Sequence, residues 1–168
     1  MLRIFANTWG NYNENGADGG EWITLPMNAD ELEETLERIA ENMGDHDPEW
    51  FINDYEWEAD HLGSVGENDS IFEWNEIAER LEDLDDYDLE KLEAIQEVEG
   101  GDLVDNLEDL DNYEFYSGVS LEEYAEEIVN DCYNLPEFAL YYFDFGAFAR
   151  DLSFDGYHET ENGVLYRC

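Results

Sequence analysis

The excess of acidic over basic side chains is the feature that most restricts how this chain can fold. The 168 residues include 47 Asp and Glu but only six Lys and Arg, which gives a formal net charge of −41. Self-repulsion at this level opposes a compact state, and the same charge repels nucleic acid, anionic lipid surfaces and acidic substrates. A partner that is attracted by this charge must be basic.

The charge is spread along the whole chain and is not confined to a tail. Composition changes divide the chain into residues 1–62, 63–104 and 105–168, which carry net charges of −14, −13 and −14. Hydrophobic residues make up 43% and aromatic residues 15%, which is more than a disordered chain contains. The acidic side chains therefore belong to a folded protein.

The connection between the first two predicted strands resembles a calcium-binding loop. Residues 11–22, "NYNENGADGGEW", place Asn at alternate positions and Gly16 at the turn position of an EF-hand. The twelfth position is Trp22, where that motif requires a bidentate Glu, and the flanking "LRIFAN" and "EWITLP" are typical of strands. We therefore expect a long hairpin loop and no calcium site.

The rest of the first segment predicts one helix and a third strand. The helix begins at Asn28 or Asp30 and ends before Gly44, and Glu34 and Arg38 form its one opposite-charge pair four residues apart. Its apolar stripe is Leu32, Leu36, Ile39 and Ala40. The strand is "WFINDYEW".

The other two segments predict helices followed by a return to mixed structure. Three short helical patterns, the first with a Ser70/Glu73 capping box, fill the middle segment. The last segment predicts a strand in "YEFYSG", a helix over 120–133, a second helix from Pro136 and a hairpin through 161–163. We therefore predict an α+β fold of three small domains in line, with an all-helical middle domain.

The helix over 120–133 shows the cost of the acidic excess. Ser120 and Glu123 form a capping box, while Glu122/Glu126 and similar pairs place like charges four residues apart, which destabilises a helix. Its predicted buried stripe is Leu121, Tyr124, Ala125, Ile128 and Cys132. A solvated face explains why these positions are polar but not why they carry a single sign.

No motif points to catalysis, a cofactor or a metal. The histidines His46, His61 and His158 lack the spacing of a metal site, and Cys132 and Cys168 are expected to be free thiols. Neither a nucleophile elbow nor a phosphate-binding glycine loop is present. The chain also lacks a signal sequence and a membrane span, so we expect a cytoplasmic protein that is not an enzyme.

The charge matches that of a nucleic-acid backbone. Duplex DNA carries two charges per base pair, so 41 net charges correspond to roughly 20 base pairs, or about 70 Å of duplex. A single compact domain of this length would be only about 30 to 35 Å across. The comparison favours an elongated molecule that mimics DNA.

Four sequence motifs resemble those of the ArdA antirestriction proteins, which are carried by conjugative plasmids and transposons. They are "IFANTWGNYNENGADGGEWITLP" in residues 4–26, "NDYE" in 53–56, "SLEEYAEEIV" in 120–129 and "YFDFGAFARDL" in 142–152. The resemblance implies an elongated, curved protein of three domains that dimerises through its C-terminal domain and mimics bent B-form DNA. It implies Type I restriction-modification enzymes as partners, whose DNA-binding groove the protein would occupy, blocking cleavage and often methylation.

Two sets of residues are candidates for these contacts. The expected partner-binding carboxylates lie on the helix over 120–133, on the third strand and on the first helix, and they are Glu122, Glu123, Glu126, Glu127, Asp131, Asp54, Glu56, Glu34, Glu37 and Glu41. The last segment, 105–168, is rich in aromatics for its small size, which predicts a homodimer contact. The expected dimer residues are Tyr113, Phe115, Tyr116, Tyr141 and Phe143, unless these rings fill the local core.

The acidic composition is also compatible with three alternatives to DNA mimicry. Adaptation to high salt would give an acid-rich, lysine-poor chain, although it does not predict 15% aromatics. A metal-binding domain would need clustered ligands, and an acidic hydrolase has no motif in its favour. In each of these cases the chain has no DNA-mimic role.

Overall fold

The chain forms six strands and eight helices in a computed structural model that describes all 168 residues. They fall into two compact units, Met1–Leu84 and Asp85–Cys168, and each unit contains its own three-stranded antiparallel sheet. The fold is α+β, as predicted. The predicted middle segment contributes one helix to the first unit and two to the second. None of the helices is both long enough and apolar enough to span a bilayer.

The first unit is a sheet with three helices. Its elements are β1 (Leu2–Thr8), α1 (Trp9–Asn15), β2 (Glu21–Leu25), α2 (Ala29–Met43), β3 (Trp50–Trp57) and α3 (Ile71–Glu82), with a 3-10 turn at Asp60–Leu62. The strand order is β2-β1-β3, so β1 is central, and Ile4 faces both Ile23 and Tyr55 across the two ladders. Ile4 is fully buried, as are Leu32 and Ile39 of α2. The core of this unit is therefore built from all three strands, the apolar stripe of α2 and the buried side of α3.

The prediction of a hairpin loop over residues 11–22 is wrong in part, because the connection contains helix α1. The side chain of Thr8 caps this helix, and the buried Asn11 donates to Asn7 Oδ1 at 2.9 Å and to the Asp18 carbonyl at 2.7 Å. Asn7 in turn donates to the Gly16 carbonyl at 3.2 Å. These side-chain amides satisfy the carbonyls of Gly16 and Asp18 just after the helix, which stabilises a seven-residue helix that has no apolar periodicity of its own.

Helix α2 has the predicted bounds and the predicted stripe, but its one basic residue has a different partner. Asn28 is the N-cap and Gly44 is the left-handed C-cap, and the four predicted apolar positions are buried. Arg38 was expected to pair with Glu34 on the same helix. Instead, Arg38 donates two hydrogen bonds of 2.9 Å to the carboxylate of Glu21 in β2, the bidentate geometry of a strong Arg–carboxylate pair.

The second unit places helices on both faces of its sheet. Its elements are α4 (Asp86–Glu99), α5 (Leu103–Glu108), β4 (Tyr113–Ser117), α6 (Leu121–Cys132), α7 (Glu137–Leu140), α8 (Phe145–Phe154), β5 (Tyr157–Thr160) and β6 (Gly163–Arg167), with a 3-10 turn at Leu110–Asn112. The strand order is β4-β6-β5. In the central strand, Val164 packs with residues of α6 and α8, whereas Leu165 packs with Ile95 of α4. Adjacent residues of a strand point to opposite faces, so β6 lies between the two layers.

Helix α6 has the predicted start but a different buried stripe. Ser120 and Glu123 form the expected reciprocal capping box, whereas Ser70 at the start of α3 accepts from the Glu73 amide without the return bond. Leu121, Tyr124 and Ala125 are buried as predicted, Ile128 is half-buried and Cys132 is exposed. Val129 is buried in place of Cys132, which is the last residue of the helix.

Candidate partner-binding surface

The acidic side chains lie on the surfaces of both units. None of the 47 is buried, and only six are even half-buried: Glu21, Asp45, Asp88, Glu90, Glu93 and Asp109. The three arginines that form ion pairs, Arg3, Arg38 and Arg167, pair with side chains that are themselves at least a third exposed. Six basic residues cannot neutralise 47 acidic ones, so most carboxylates remain available to an external cation.

Helix α6 presents the densest of the predicted carboxylate groups. Glu122, Glu126, Glu127 and Asp131 are exposed, while Leu121, Tyr124 and Ala125 hold the other face of the helix in the core. Glu123 is exposed as well, but its carboxylate accepts hydrogen bonds from the Ser120 amide and hydroxyl, both at 2.8 Å. The backbone hydrogen bond is the main cause that lowers the pKa of Glu123. Glu123 therefore caps the helix as well as contributing charge.

The other predicted carboxylates lie on the first unit and differ in whether a basic side chain neutralises them. Glu34, Glu37 and Glu41 are exposed on α2. In β3, Glu56 accepts from Arg3 at 2.5 Å, and the Arg3 guanidinium also lies over the Trp22 ring at 5.0 Å. Asp54 accepts from the Tyr55 amide at 2.9 Å. Glu56 is thus partly neutralised by a neighbour, whereas the α2 carboxylates are not.

Three of the five residues predicted for a dimer contact are in or against the core of their own unit, so their rings expose little surface to a second copy of the chain. Tyr113 and Phe115 are each only 4% exposed and pack with Ile95 and Leu165. Tyr116 is half-buried, and its ring lies 4.1 Å from that of Tyr124. Alternate residues of β4 thus face opposite helix layers, and the alternative that these rings fill the local core holds for them.

The exposed aromatic surface lies later in the chain. Tyr141, which was predicted, is 83% exposed, and Phe143 is half-buried against Phe145 and Phe148. Three further exposed rings are not among the five predicted dimer residues, and these are Phe138, Tyr142 and Phe154 at 74%, 80% and 81% exposure. The run "FALYYF" at 138–143 was the sequence signal that could have indicated exposed rings. Helix α7, which overlaps this run, has only four residues and cannot bury rings on every side.

The largest shifts in pKa belong to two half-buried tyrosines. Burial raises the pKa of Tyr157 to about 12, and burial together with hydrogen bonding to Tyr124 raises that of Tyr116 further. These phenols stay protonated at neutral pH and pack as a ring cluster. The His, Cys, Asp and Glu side chains form no group of three or more that could hold a metal ion.

A surface of this kind, with dispersed carboxylates on a folded α+β scaffold, attracts basic groups and repels acidic ones. The family model for the antirestriction protein ArdA matches residues 4–166. The chain therefore belongs to the ArdA family, which makes it an antirestriction protein. No curated protein matches the chain in a sequence search.

Proposed function

We propose that this chain inhibits Type I restriction-modification enzymes by occupying their DNA-binding groove as a mimic of duplex DNA. The observation that supports the mechanism most directly is that 47 acidic side chains are carried by a folded protein without one of them being buried. Solubility alone does not require a single sign of charge. A groove that binds the phosphate backbone does, because it is itself lined with basic groups.

The proposed contact is distributed over many carboxylates. The net charge of −41 corresponds to roughly 20 base pairs of duplex, and no single cluster accounts for more than a small part of it. The α6 carboxylates Glu122, Glu126 and Glu127 are the favoured group, with Glu37 and Glu41 of α2 as a second group. Neutralising one of them should weaken binding little, whereas neutralising a whole group should weaken it measurably.

Competition for DNA tests the mechanism. The purified chain is titrated into a Type I methyltransferase core bound to a labelled duplex that carries its target site, at several salt concentrations. A mimic displaces the duplex competitively, and its affinity falls as salt rises, because the attraction between the charges is screened. Inhibition of cleavage without displacement of DNA would contradict the mechanism.

A matched pair of triple variants tests the location of the contact. Glu122, Glu126 and Glu127 are replaced by Gln, which leaves the Ser120–Glu123 cap intact. The control carries Glu76, Glu79 and Glu82→Gln on α3, with the same change in net charge. A larger loss of inhibition in the α6 variant supports the α6 group, and equal small losses would leave the contact spread evenly over the surface.

We also propose that the chain forms a homodimer through the exposed rings Phe138, Tyr141 and Tyr142. These three rings are each at least 74% exposed and lie within five residues of one another. Clustered exposed aromatics are typical of interfaces, and two-fold symmetry is the commonest closed arrangement. Sedimentation equilibrium across protein concentration and salt is the measurement, and a monomer at micromolar concentration in physiological salt would contradict the proposal.

A further inference from the structure

A groove on the first unit combines an apolar floor with an acidic rim. It has a volume of about 480 Å³ and opens where α2 lies beside the start of β3 and the start of α3. Leu36 and Ala40 of α2 line it together with Trp50 and Phe72. The Phe72 ring is 49% exposed although it belongs to a helix whose other apolar residues are largely buried. The volume is typical of clefts that bind a ligand or a side chain.

The rim of the groove is negative on the α2 side. Glu33, Glu37 and Glu41 all line it and are spaced four residues apart, so they follow one edge of the helix. No Lys or Arg is among the lining residues. The nearest base along α2, Arg38, is held by Glu21 through two hydrogen bonds of 2.9 Å. The three carboxylates therefore have no Lys or Arg partner in the groove, whose other titratable lining residues are Asp45 and His46.

We propose that this groove binds a basic amphipathic segment of a partner protein. An apolar side chain of that segment contacts Trp50 and Phe72, and Lys or Arg side chains on either side of it pair with Glu33, Glu37 and Glu41. An Arg can also stack on an aromatic ring of the groove. This arrangement is that of an amphipathic helix whose apolar face lies in a hydrophobic groove. The charges are complementary, because the rim of the groove is acidic and the segment is basic.

The charge of the chain determines which occupants are compatible. A second copy of the chain would bring another −41 to the same edge, and nucleic acid and anionic lipid are repelled for the same reason. A wholly polar cation would satisfy the rim but leave the aromatic floor in water. The proposal goes beyond DNA mimicry, because the groove would bind such a segment whichever protein carries it and because phosphate mimicry gives no role to an apolar floor.

Two labelled peptides provide the test. One is an amphipathic helix of about 18 residues, five turns, built from Leu and Lys, and the other has every Leu replaced by Ser at unchanged charge. Binding to the full chain is measured by fluorescence anisotropy at low and at high NaCl. Both peptides should bind at low salt, but at high salt the Leu peptide should retain an affinity at least about tenfold above that of the Ser peptide, because apolar burial is not screened. Equal loss of both affinities with salt would overturn the proposal.

Variants then assign the salt-resistant binding to the groove. Phe72→Ser should remove most of the advantage of the Leu peptide, whereas Phe154→Ser, which deletes an exposed ring of the second unit, should not. Glu37→Gln with Glu41→Gln should weaken both peptides at low salt and leave their difference at high salt. The proposal is overturned if Phe72→Ser and Phe154→Ser behave alike while circular dichroism shows both to be folded. None of these measurements involves a restriction enzyme, so their failure is distinct from a failure of the proposed function.

Discussion

The two units carry almost the same charge but expose very different amounts of aromatic surface. The first unit has 23 acidic and three basic residues, a net charge of −20, and the second has 24 and three, a net charge of −21. The exposed rings of the first unit are Tyr12, Trp22 and Phe72, none of them more than 49% exposed. In the second unit Phe138, Tyr141, Tyr142 and Phe154 are each at least 74% exposed.

This difference in aromatic exposure separates two possible roles of the surface, binding a basic partner and contacting a second subunit, which the composition of the whole chain does not distinguish. Charge is distributed evenly, which is expected if the whole surface takes part in binding a basic partner. Apolar exposure is concentrated in one unit, which is expected if only one part of the chain forms a contact between subunits. A surface shaped only for solubility would keep exposed aromatics low in both units.

The largest expected effect is on dimer affinity, when exposed rings of the second unit are removed. Replacing Tyr141 and Tyr142 by Ser removes four rings from each proposed dimer, and at about 1.5 kcal/mol per ring the dimer should weaken by about 6 kcal/mol, roughly ten-thousandfold or more. Sedimentation equilibrium measures the change. The matched control, Trp22→Ser with Phe72→Ser, removes two rings from the first unit and should leave the dimer intact. Equal weakening by both variants would contradict a contact confined to the second unit.

The next effect tests whether the two cores are equivalent despite their different surfaces. Leu32 in the first unit and Leu165 in the second are each at most 1% exposed, so Leu32→Ala and Leu165→Ala should each lower the free energy of unfolding by about 3 kcal/mol, within a range of 2–5. Urea unfolding followed by circular dichroism measures it. The half-buried Leu81→Ala is the control and should cost less. A loss below about 1 kcal/mol at either core site would show that its unit tolerates a cavity.

Elements with strong local signals were predictable from the sequence, and elements held by distant contacts were not. The caps and stripe of α2 lie within the helix itself, so its bounds followed from Asn28 and Gly44. Helix α1 depends on hydrogen bonds from Asn7 and Asn11, which no periodicity reveals. The pairing of Arg38 with Glu21 also joins residues on different elements, and a rule based on spacing within one helix could not identify it.

The candidate site divides in the same way. The acidic surface could be predicted, because a carboxylate is almost never buried without a partner and residue type alone places it outside. Which aromatics are exposed could not be predicted, because a ring can be in the core or on the surface. Tyr113 is buried by the layer formed with α4, whereas Tyr141 follows a helix too short to cover it. That distinction requires the packing of the second unit.

A smaller effect compares one helix start in each unit. Ser120 begins α6 with a reciprocal capping box, while Ser70 begins α3 with a single bond of 3.4 Å to the Glu73 amide. We therefore expect Ser120→Ala to lower the free energy of unfolding by about 1–2 kcal/mol and Ser70→Ala by about 0.5 kcal/mol. Thermal unfolding of the two variants and their parent measures both losses. The comparison fails if Ser70→Ala proves to be the more costly substitution.

The smallest effect concerns the ion pair between Arg38 and Glu21. The hydrogen bond from Arg38 lowers the pKa of Glu21 below its ordinary value, so the folded state binds this proton less readily than the unfolded state. Stability from the pair is therefore present above the ordinary carboxyl pKa of 4.5 and is lost as the pH falls through the lower folded value.

Because both side chains are more than a third exposed, solvent screens the pair, and we expect Glu21→Gln to cost only about 0.5 kcal/mol at pH 7. The difference between parent and variant should shrink as the pH falls below 4.5 and disappear once the parent carboxyl is protonated in the folded state. Glu34→Gln is the control, since Glu34 is the partner that helical spacing predicts and the structure does not use. If Glu34→Gln lost as much stability as Glu21→Gln, with the same dependence on pH, Arg38 would be shared between the two carboxylates in solution. The pairing predicted from the four-residue spacing on the helix would then be correct in part. A loss at Glu21 alone would mean that even in a chain with so few bases, the geometry of a strand beside a helix decides which acid is neutralised.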